Sequence, residues 1–214
     1  MKLLVATRNE GKAREIRDLF RGLPFQLVWP ADQFLARLPE EQDLERGATF
    51  AENAVAKARY FAQRSGLRTL AEDSGLEVDA LNGAPGPHSA RFAALYGDGG
   101  RGTGGGDADA ANNALLLERL AGVGVPEERR TARYRCVVAY LEKPAAVPQL
   151  VEATCEGRIL TTARGSGGFG YDPLFWSTEL GMSFAEAPLA AKQRVSHRGR
   201  AFRALIEVLV RRSP

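Results

Sequence analysis

Two carboxylates and a hydroxyl stand together in Glu72-Asp73-Ser74-Gly75, between the apolar stretches 67–71 and 76–80. Carboxylates gathered in this way can bind a hard cation or take a proton, and the serine can help hold a ligand. The flanking stretches alternate like short strands, so Ser74 and Gly75 predict a turn between them. A lone Asp-Ser-Gly is more often a solvated turn than a site, so its chemistry depends on what else the chain carries.

Cationic partners lie nearer the amino terminus. The run 2–7 is apolar and of strand length, and Arg8-Asn9-Glu10-Gly11-Lys12 follows it before Ala13, Ile16, Leu19 and Phe20 repeat at helical spacing. Asn9 is a good N-cap, and Glu10 suits the positive end of a helix. A strand–turn–helix junction gathers free backbone N–H groups that bind anions, and Lys12 adds a full positive charge. It is no Walker A loop, because the leading glycine is missing and Ala13 stands where a metal-binding Ser or Thr belongs. Thr49-Phe50-Ala51-Glu52 is a capping box, and on the helix it opens Asn53 and Lys57 are four apart on one face. Near the other end, Gly165-Ser166-Gly167-Gly168-Phe169-Gly170-Tyr171-Asp172-Pro173 combines glycines that admit a close ligand with a phenyl ring able to stack on a planar one. His197 and Arg198 open the last helix, and with Lys192 they cluster donors.

The elements that must hold these residues alternate. A strand, turn and helix over 2–20 precede a second strand at 25–29 and the helix from Phe50. After the strand pair around Glu72 come a short helix at 89–96 and a helix with Leu115, Leu116, Leu117 and Leu120, capped by Asp107 or Asp109. Segments 131–142 and 149–155 predict an antiparallel hairpin, with Tyr134, Cys136, Val138 and Tyr140 on one face. A further strand is expected at 159–162, then helices over 185–193 and from Ser196 onward. Segment 39–46 reads as an acidic loop with mostly solvated charges, and the glycine-rich stretch 97–106 as a surface loop without chemistry. The result is an α/β chain.

Bulk properties narrow the classes. The 214 residues fit one domain or two small lobes with a real core. A net charge of +3 does not call for nucleic acid but suits an anionic small molecule. No apolar run reaches membrane-spanning length, and 1–6 is too short for a signal h-region, so a cytoplasmic protein without a membrane partner is expected. Cys136 and Cys155 have no CxxC spacing and predict buried thiols, and two histidines exclude a histidine-rich metal centre.

Taken in order, Thr7-x-Asn9-x-x-Lys12, Thr49-Phe50-x-Glu52-Asn53 with Lys57, Asp73-Ser74-Gly75, Pro85-Gly86-x-x-Ser89-Ala90-Arg91, Gly168-Phe169-Gly170-Tyr171-Asp172-Pro173 and Ser196-His197-Arg198 span nearly the whole chain. The set strongly resembles the inosine/xanthosine triphosphate pyrophosphatase family, the Ham1-like nucleotide hydrolases. The resemblance implies a single domain over 1–214 with an elongated mixed central sheet flanked by helices and two lobes with the active cleft between them. It further implies a homodimer that hydrolyses ITP, dITP and XTP to the monophosphate and pyrophosphate with Mg²⁺. It assigns Asp73, Lys12 and Lys57 to catalysis and Glu45 and Asp73 to the metal, Glu45 being favoured over Glu41 by its place before Gly47 and Thr49. Substrate contacts are expected from Thr7, Arg8, Asn9, Glu10, Gly11, Lys12, Asn53, Ser74, Phe169, Gly170, Tyr171, Asp172, Lys192, His197 and Arg198. Gln193 and the length of the 97–106 loop depart from the family pattern without touching a catalytic motif.

The residue chemistry fits that reaction. A triphosphate carries about four negative charges, so its cleavage calls for cations and preorganised N–H donors. Hypoxanthine and xanthine present a 6-keto acceptor where adenine presents an amino donor, so donors from Lys192, His197 or Arg198 would match the former and be left unpaired by the latter. Guanine shares the keto group, and its rejection requires a check at the 2-position, assigned to the loop 169–172 and Arg198. A triphosphatase releasing orthophosphate is the nearest rival. A Nudix enzyme is disfavoured because no helix carries the RExxEE pattern. A nucleic-acid-binding module would want basic residues interleaved with aromatics, and only 8% of residues are aromatic.

Overall fold

The strand β1 (Lys2–Val5) shows how the fold is held. Leu3 and Val5 pack with Ile16, Phe20, Phe202 and Leu205, whereas Leu4 and Ala6 pack with Phe50, Ala54 and Phe61. Alternate side chains of a strand point to opposite faces, so both faces of β1 are covered. The same division recurs on β4 (Thr131–Leu141), where Cys136, Val138 and Tyr140 join the first core and Val137, Ala139 and Leu141 the second. Full burial of one such leucine or phenylalanine stabilises by about 1.5–3 kcal/mol.

The structure is a computed structural model that describes residues 1–97 and 106–212. Most of the glycine-rich stretch 97–106 lies outside the described residues. The strand order is β2 (Gln26–Val28), β1, β3 (Thr69–Val78), β4, β5 (Gln149–Ile159), β6 (Phe175–Ser177) and β7 (Met182–Ser183). β1 runs parallel to β2 and to β3, with Leu3 opposite Leu27 and Val5 opposite Leu70, whereas β6 is antiparallel to β5 and β7. The sheet is therefore mixed, as expected. Among the described residues, six α-helices accompany it, and none is long and apolar enough to cross a membrane.

The chain divides into two compact units. The first comprises Met1–Asp73, Cys136–Ala153 and the chain from Arg198. It holds α1 (Glu10–Leu19), α2 (Phe50–Ser65) and nearly all of α6 (His197–Arg212). Asn9 Oδ1 accepts from Lys12 N at 2.9 Å to start α1. The capping box of α2 is complete, Thr49 Oγ1 accepting from Glu52 N and Glu52 Oε2 from Thr49 N, each at 3.2 Å. The second unit comprises Ser74–Arg135 and Thr154–His197. Its core joins Leu76, Leu115, Leu116, Leu120, Ile159 and Phe184, and Tyr134 packs with Phe175 at 4.7 Å between ring centroids. Its helices are α3 (Phe92–Tyr96), α4 (Gly106–Gly122) and α5 (Leu189–Val195).

Several expectations need correction. No turn separates 67–71 from 76–80: Thr69–Val78 is one ten-residue strand with Glu72, Asp73, Ser74 and Gly75 inside it. The acidic pair tolerates that place because buried cations reach both carboxylates. No strand occupies 159–162, since Ile159 ends β5 and Leu160 N turns to Leu174 O at 2.9 Å. The helix expected at 185–193 begins only after Pro188, at Leu189. Asp107 and Asp109 lie inside α4 rather than at its cap. The acidic segment is not simply solvated either. It forms a 3-10 turn at Pro39–Asp43, and Glu41 bonds Arg8 Nε and Arg64 Nη1.

Candidate active site

The first unit gathers a chain of charges around β3. Asn53 and Lys57, one turn apart on α2, both reach Asp73: Asn53 Nδ2 donates to Oδ2 at 2.9 Å and Lys57 Nζ to Oδ1 at 2.7 Å. The same ammonium donates to Glu45 Oε1 at 2.7 Å. Asn53 is oriented in turn by Gly47 N, which donates to its Oδ1 at 2.8 Å. A side chain at Gly47 would not fit, because a Cβ there would lie 2.7 Å from that oxygen. On the neighbouring position of β3, Glu72 Oε1 lies 3.1 Å from Lys12 Nζ and 3.1 Å from Arg198 Nη2. Arg198 Nη1 donates to Glu15 Oε2 at 2.6 Å, so Lys12, Glu72, Arg198 and Glu15 form a charge-balanced row.

Burial sets the electrostatics. Asp73, 5% exposed, is pushed above the usual carboxylate range by desolvation, against the pull of Lys57 and Lys12. Desolvation works against the charge on Lys57 too, but Asp73, Glu45 and Glu72 outweigh it and hold the ammonium above the ordinary lysine range. The proton of this pair thus stays on lysine, leaving Asp73 an anion of raised basicity. Each carboxylate oxygen of Asp73 keeps a second lone pair beside its existing bond, which is what a proton acceptor needs. Among the described residues no group of three or more His, Cys, Asp or Glu side chains could hold a metal unaided. Glu45 and Asp73 nevertheless converge on one ammonium, and two carboxylates completed by phosphate oxygens are a donor set that suits Mg²⁺.

Other expected residues take different places. The Arg8 guanidinium makes two bonds to Glu41, at 2.6 and 2.8 Å, and a third to Leu35 O, so it braces the 3-10 turn, and Arg8 also lines a pocket with Thr7, Glu10 and Trp29. Thr7 Oγ1 accepts from Asn9 N at 3.2 Å, and Asn9 caps α1; both shape the turn. Glu10 is exposed, and Gly11 and Lys12 are half-buried in the first turn of α1. Ser74 is half-buried, one residue past Asp73 on β3. Arg198, expected to read the base, is 2% exposed and held between Glu15 and Glu72. Desolvation opposes its charge, and Glu72 and Glu15 more than compensate, so the guanidinium stays fully protonated.

The second unit holds the glycine-rich loop. Asp172 Oδ2 accepts from Phe169 N at 2.9 Å and from Lys192 Nζ at 2.6 Å. Gly168 has φ 74°, and any Cβ there would collide with the Asp172 carboxylate. Lys192 Nζ lies 5.2 Å from the centre of the Phe169 ring and 5.3 Å from that of Phe184, so the ammonium stands beside two aromatic faces. His197 is buried and stacks on Tyr134 at 4.6 Å and 7°. Tyr171 is packed into the core of this unit: its hydroxyl donates to Ser89 O at 2.9 Å, and burial raises its pKa so that the phenol stays neutral. Gly170 N donates to Asp109 Oδ2 at 2.7 Å, and its carbonyl accepts from Asn113 Nδ2 at 3.0 Å.

Of the residues singled out in the sequence, Lys12, Asn53, Lys57, Asp73 and Glu45 lie in the first unit and Phe169, Asp172 and Lys192 in the second. The sequence gives no functional role to Glu15 or Tyr134, and it singles out Glu72 as a candidate carboxylate without its partners Lys12 and Arg198. Glu15 offered a signal in hindsight, since it sits beside Ile16 on the buried side of α1.

Comparison with known proteins agrees with this picture. A Ham1 family model matches residues 3–208. A dITP/XTP pyrophosphatase of Desulforamulus reducens is 45% identical over 211 residues, covering 99% of this chain and 96% of that protein. One from Thermus thermophilus is 46% identical over 207 residues, covering 97% and 91%. The solved structure of a HAM1 protein from Coxiella burnetii superposes with a TM-score of 0.82 at 34% identity, covering 99% of each chain. The likeness therefore spans both units, and the chain belongs to the Ham1 family.

Proposed function

We propose that the protein hydrolyses non-standard purine nucleoside triphosphates (ITP, dITP and XTP) to the nucleoside monophosphate and pyrophosphate. The observation that carries this reading is the arrangement in which buried Lys57 joins Asp73 to Glu45 while half-buried Lys12 stands on Glu72. Lys12 and Lys57 neutralise the polyphosphate, and the backbone N–H groups at the start of α1 orient it. Asp73 accepts the proton of the attacking water as the new P–O bond forms. The bond between the α-phosphorus and its bridging oxygen breaks, and pyrophosphate leaves. Glu45 and Asp73 would hold Mg²⁺, which when bound supplies charge neutralisation to the phosphate oxygens.

The purine falls to Phe169, Lys192 and His197. Phe169 offers a stacking face, and Lys192 an ammonium whose donors match a 6-keto acceptor and clash with an amino group. Arg198 acts indirectly, by holding Glu72 against Lys12. The family resemblance also supports a homodimer working in the cytoplasm as one functional domain over 1–214. A panel of NTPs and dNTPs with Mg²⁺, scored for rate and for phosphate product, tests the reading. ITP, dITP and XTP should be preferred and pyrophosphate should appear first; orthophosphate as the first product would overturn it.

A further inference from the structure

Among the residues of the helix α4 that local propensity does not favour are Asp109 and Asn113. They lie four apart, on one face, in a helix whose other described positions are largely alanine and leucine. Neither serves α4 itself. Asp109 Oδ2 accepts from Gly170 N at 2.7 Å, and Asn113 Nδ2 donates to Gly170 O at 3.0 Å. Both main-chain polar groups of a single residue are thus held from one helix face. The first bond ends on a carboxylate and belongs to the stronger class. Asn113 keeps its hold although its Oδ1 is buried with no partner among the described residues. Gly170 has φ 63°, with open space where a Cβ would be, so conformation rather than crowding makes it glycine.

Gly170 directly follows Phe169. With Phe169 N on Asp172 and the Tyr171 hydroxyl on Ser89 O, the Asp109–Asn113 grip on Gly170 fixes the third consecutive residue of the loop. We infer that Asp109 and Asn113 are positioning residues for substrate selection: by gripping Gly170 they set the pose in which Phe169 presents its ring to the purine. This rests on the assignment of Phe169 to the base. A stacking face loses its value when it tilts, so the grip acts on binding and discrimination and leaves the bond-breaking step alone.

The experiment uses the full chain as Asp109→Ala, Asp109→Asn and Asn113→Ala, with Phe169→Ala as reference, and measures steady-state kinetics on ITP and ATP together with Tm. Asp109→Ala and Asn113→Ala should raise KM for ITP about tenfold and narrow the ITP-over-ATP ratio, with kcat held within about twofold. Asp109→Asn should restore KM, because an amide oxygen still accepts from Gly170 N. Exchange of the Gly170 N–H should quicken in Asp109→Ala. If that variant fails to fold, Asn113→Ala carries the same readout. Unchanged KM and ratio in the α4 variants beside a raised KM in Phe169→Ala would overturn this inference alone. An unchanged KM in Phe169→Ala would overturn the base assignment and this inference with it. A lowered Tm with KM unmoved would reduce the grip to a stabilising contact and likewise overturn it.

Discussion

The two units fix their functional side chains by opposite means. In the first, Lys12, Lys57, Glu45, Asp73 and Glu72 are held mainly by one another's charge. In the second, the residues around Phe169 are held chiefly through their backbone, by Asp172, Asp109 and Asn113, with Lys192 as a charge partner of Asp172. Charges that satisfy each other can exchange partners when a phosphate or a divalent ion arrives, whereas a backbone-held ring keeps its pose. The first arrangement suits chemistry in which charge develops, and the second suits recognition of a flat, largely neutral group.

The contrast can be broken at its strongest point. Asp73→Asn should lower kcat by about 10²–10⁴-fold, the usual range for a lost general base, while circular dichroism and Tm show an intact fold. Near-normal turnover would remove Asp73 from the chemistry and leave the first unit with only a binding role. Arg198→Met comes next. Losing one member of a buried ion pair costs about 3–5 kcal/mol, so chemical denaturation should show a loss of that order from the stranded Glu15 and Glu72. A variant as stable as the parent would mean that the row is not needed to hold β3.

Lys192→Ala sharpens the other side. It should narrow the ITP-over-ATP ratio of kcat/KM by about tenfold, the effect of one unmatched donor, with far less change in turnover than Asp73→Asn. An unchanged ratio would move base recognition elsewhere. The smallest effect concerns pH. Burial works against the charge on Glu41, but its bonds to Arg8 and Leu38 N outweigh that and lower its pKa, as bonds to Thr161 do for Glu127. Groups depressed on folding contribute stability above their unfolded pKa and lose it as pH falls through the folded value. Tm should therefore drop on acidification below the ordinary glutamate range, and Glu41→Gln should flatten that drop slightly. A parallel pH curve for the variant would clear Glu41 of any part in it.

Much of this was legible from residue types and spacing. The capping box at Thr49 placed Asn53 and Lys57 on one helical face, and the structure puts both on Asp73. The errors share a physical source. Glu72 to Gly75 reads as a turn because those residue types favour turns locally. What keeps them in β3 is Lys57, 16 positions away, and Arg198, 126 positions away. Arg198 reads as an accessible donor because helix-start arginines are ordinarily solvated, and its partner Glu15 lies 183 positions upstream. Asp109 reads as a cap for the same local reason, while its bond goes to Gly170, 61 positions on. Propensity and periodicity carry information over a turn or two of chain; pairing of buried charges at long range does not show in them.

Lys57 also bears on how the protein endures scarcity. Because a tethered ammonium already sits against both Glu45 and Asp73, it offsets their mutual repulsion whether or not a divalent ion is bound. A chelator should therefore abolish turnover yet leave the melting curve where it was, and activity should return in full as soon as magnesium is supplied. An enzyme furnished with its own stand-in cation can wait out starvation folded.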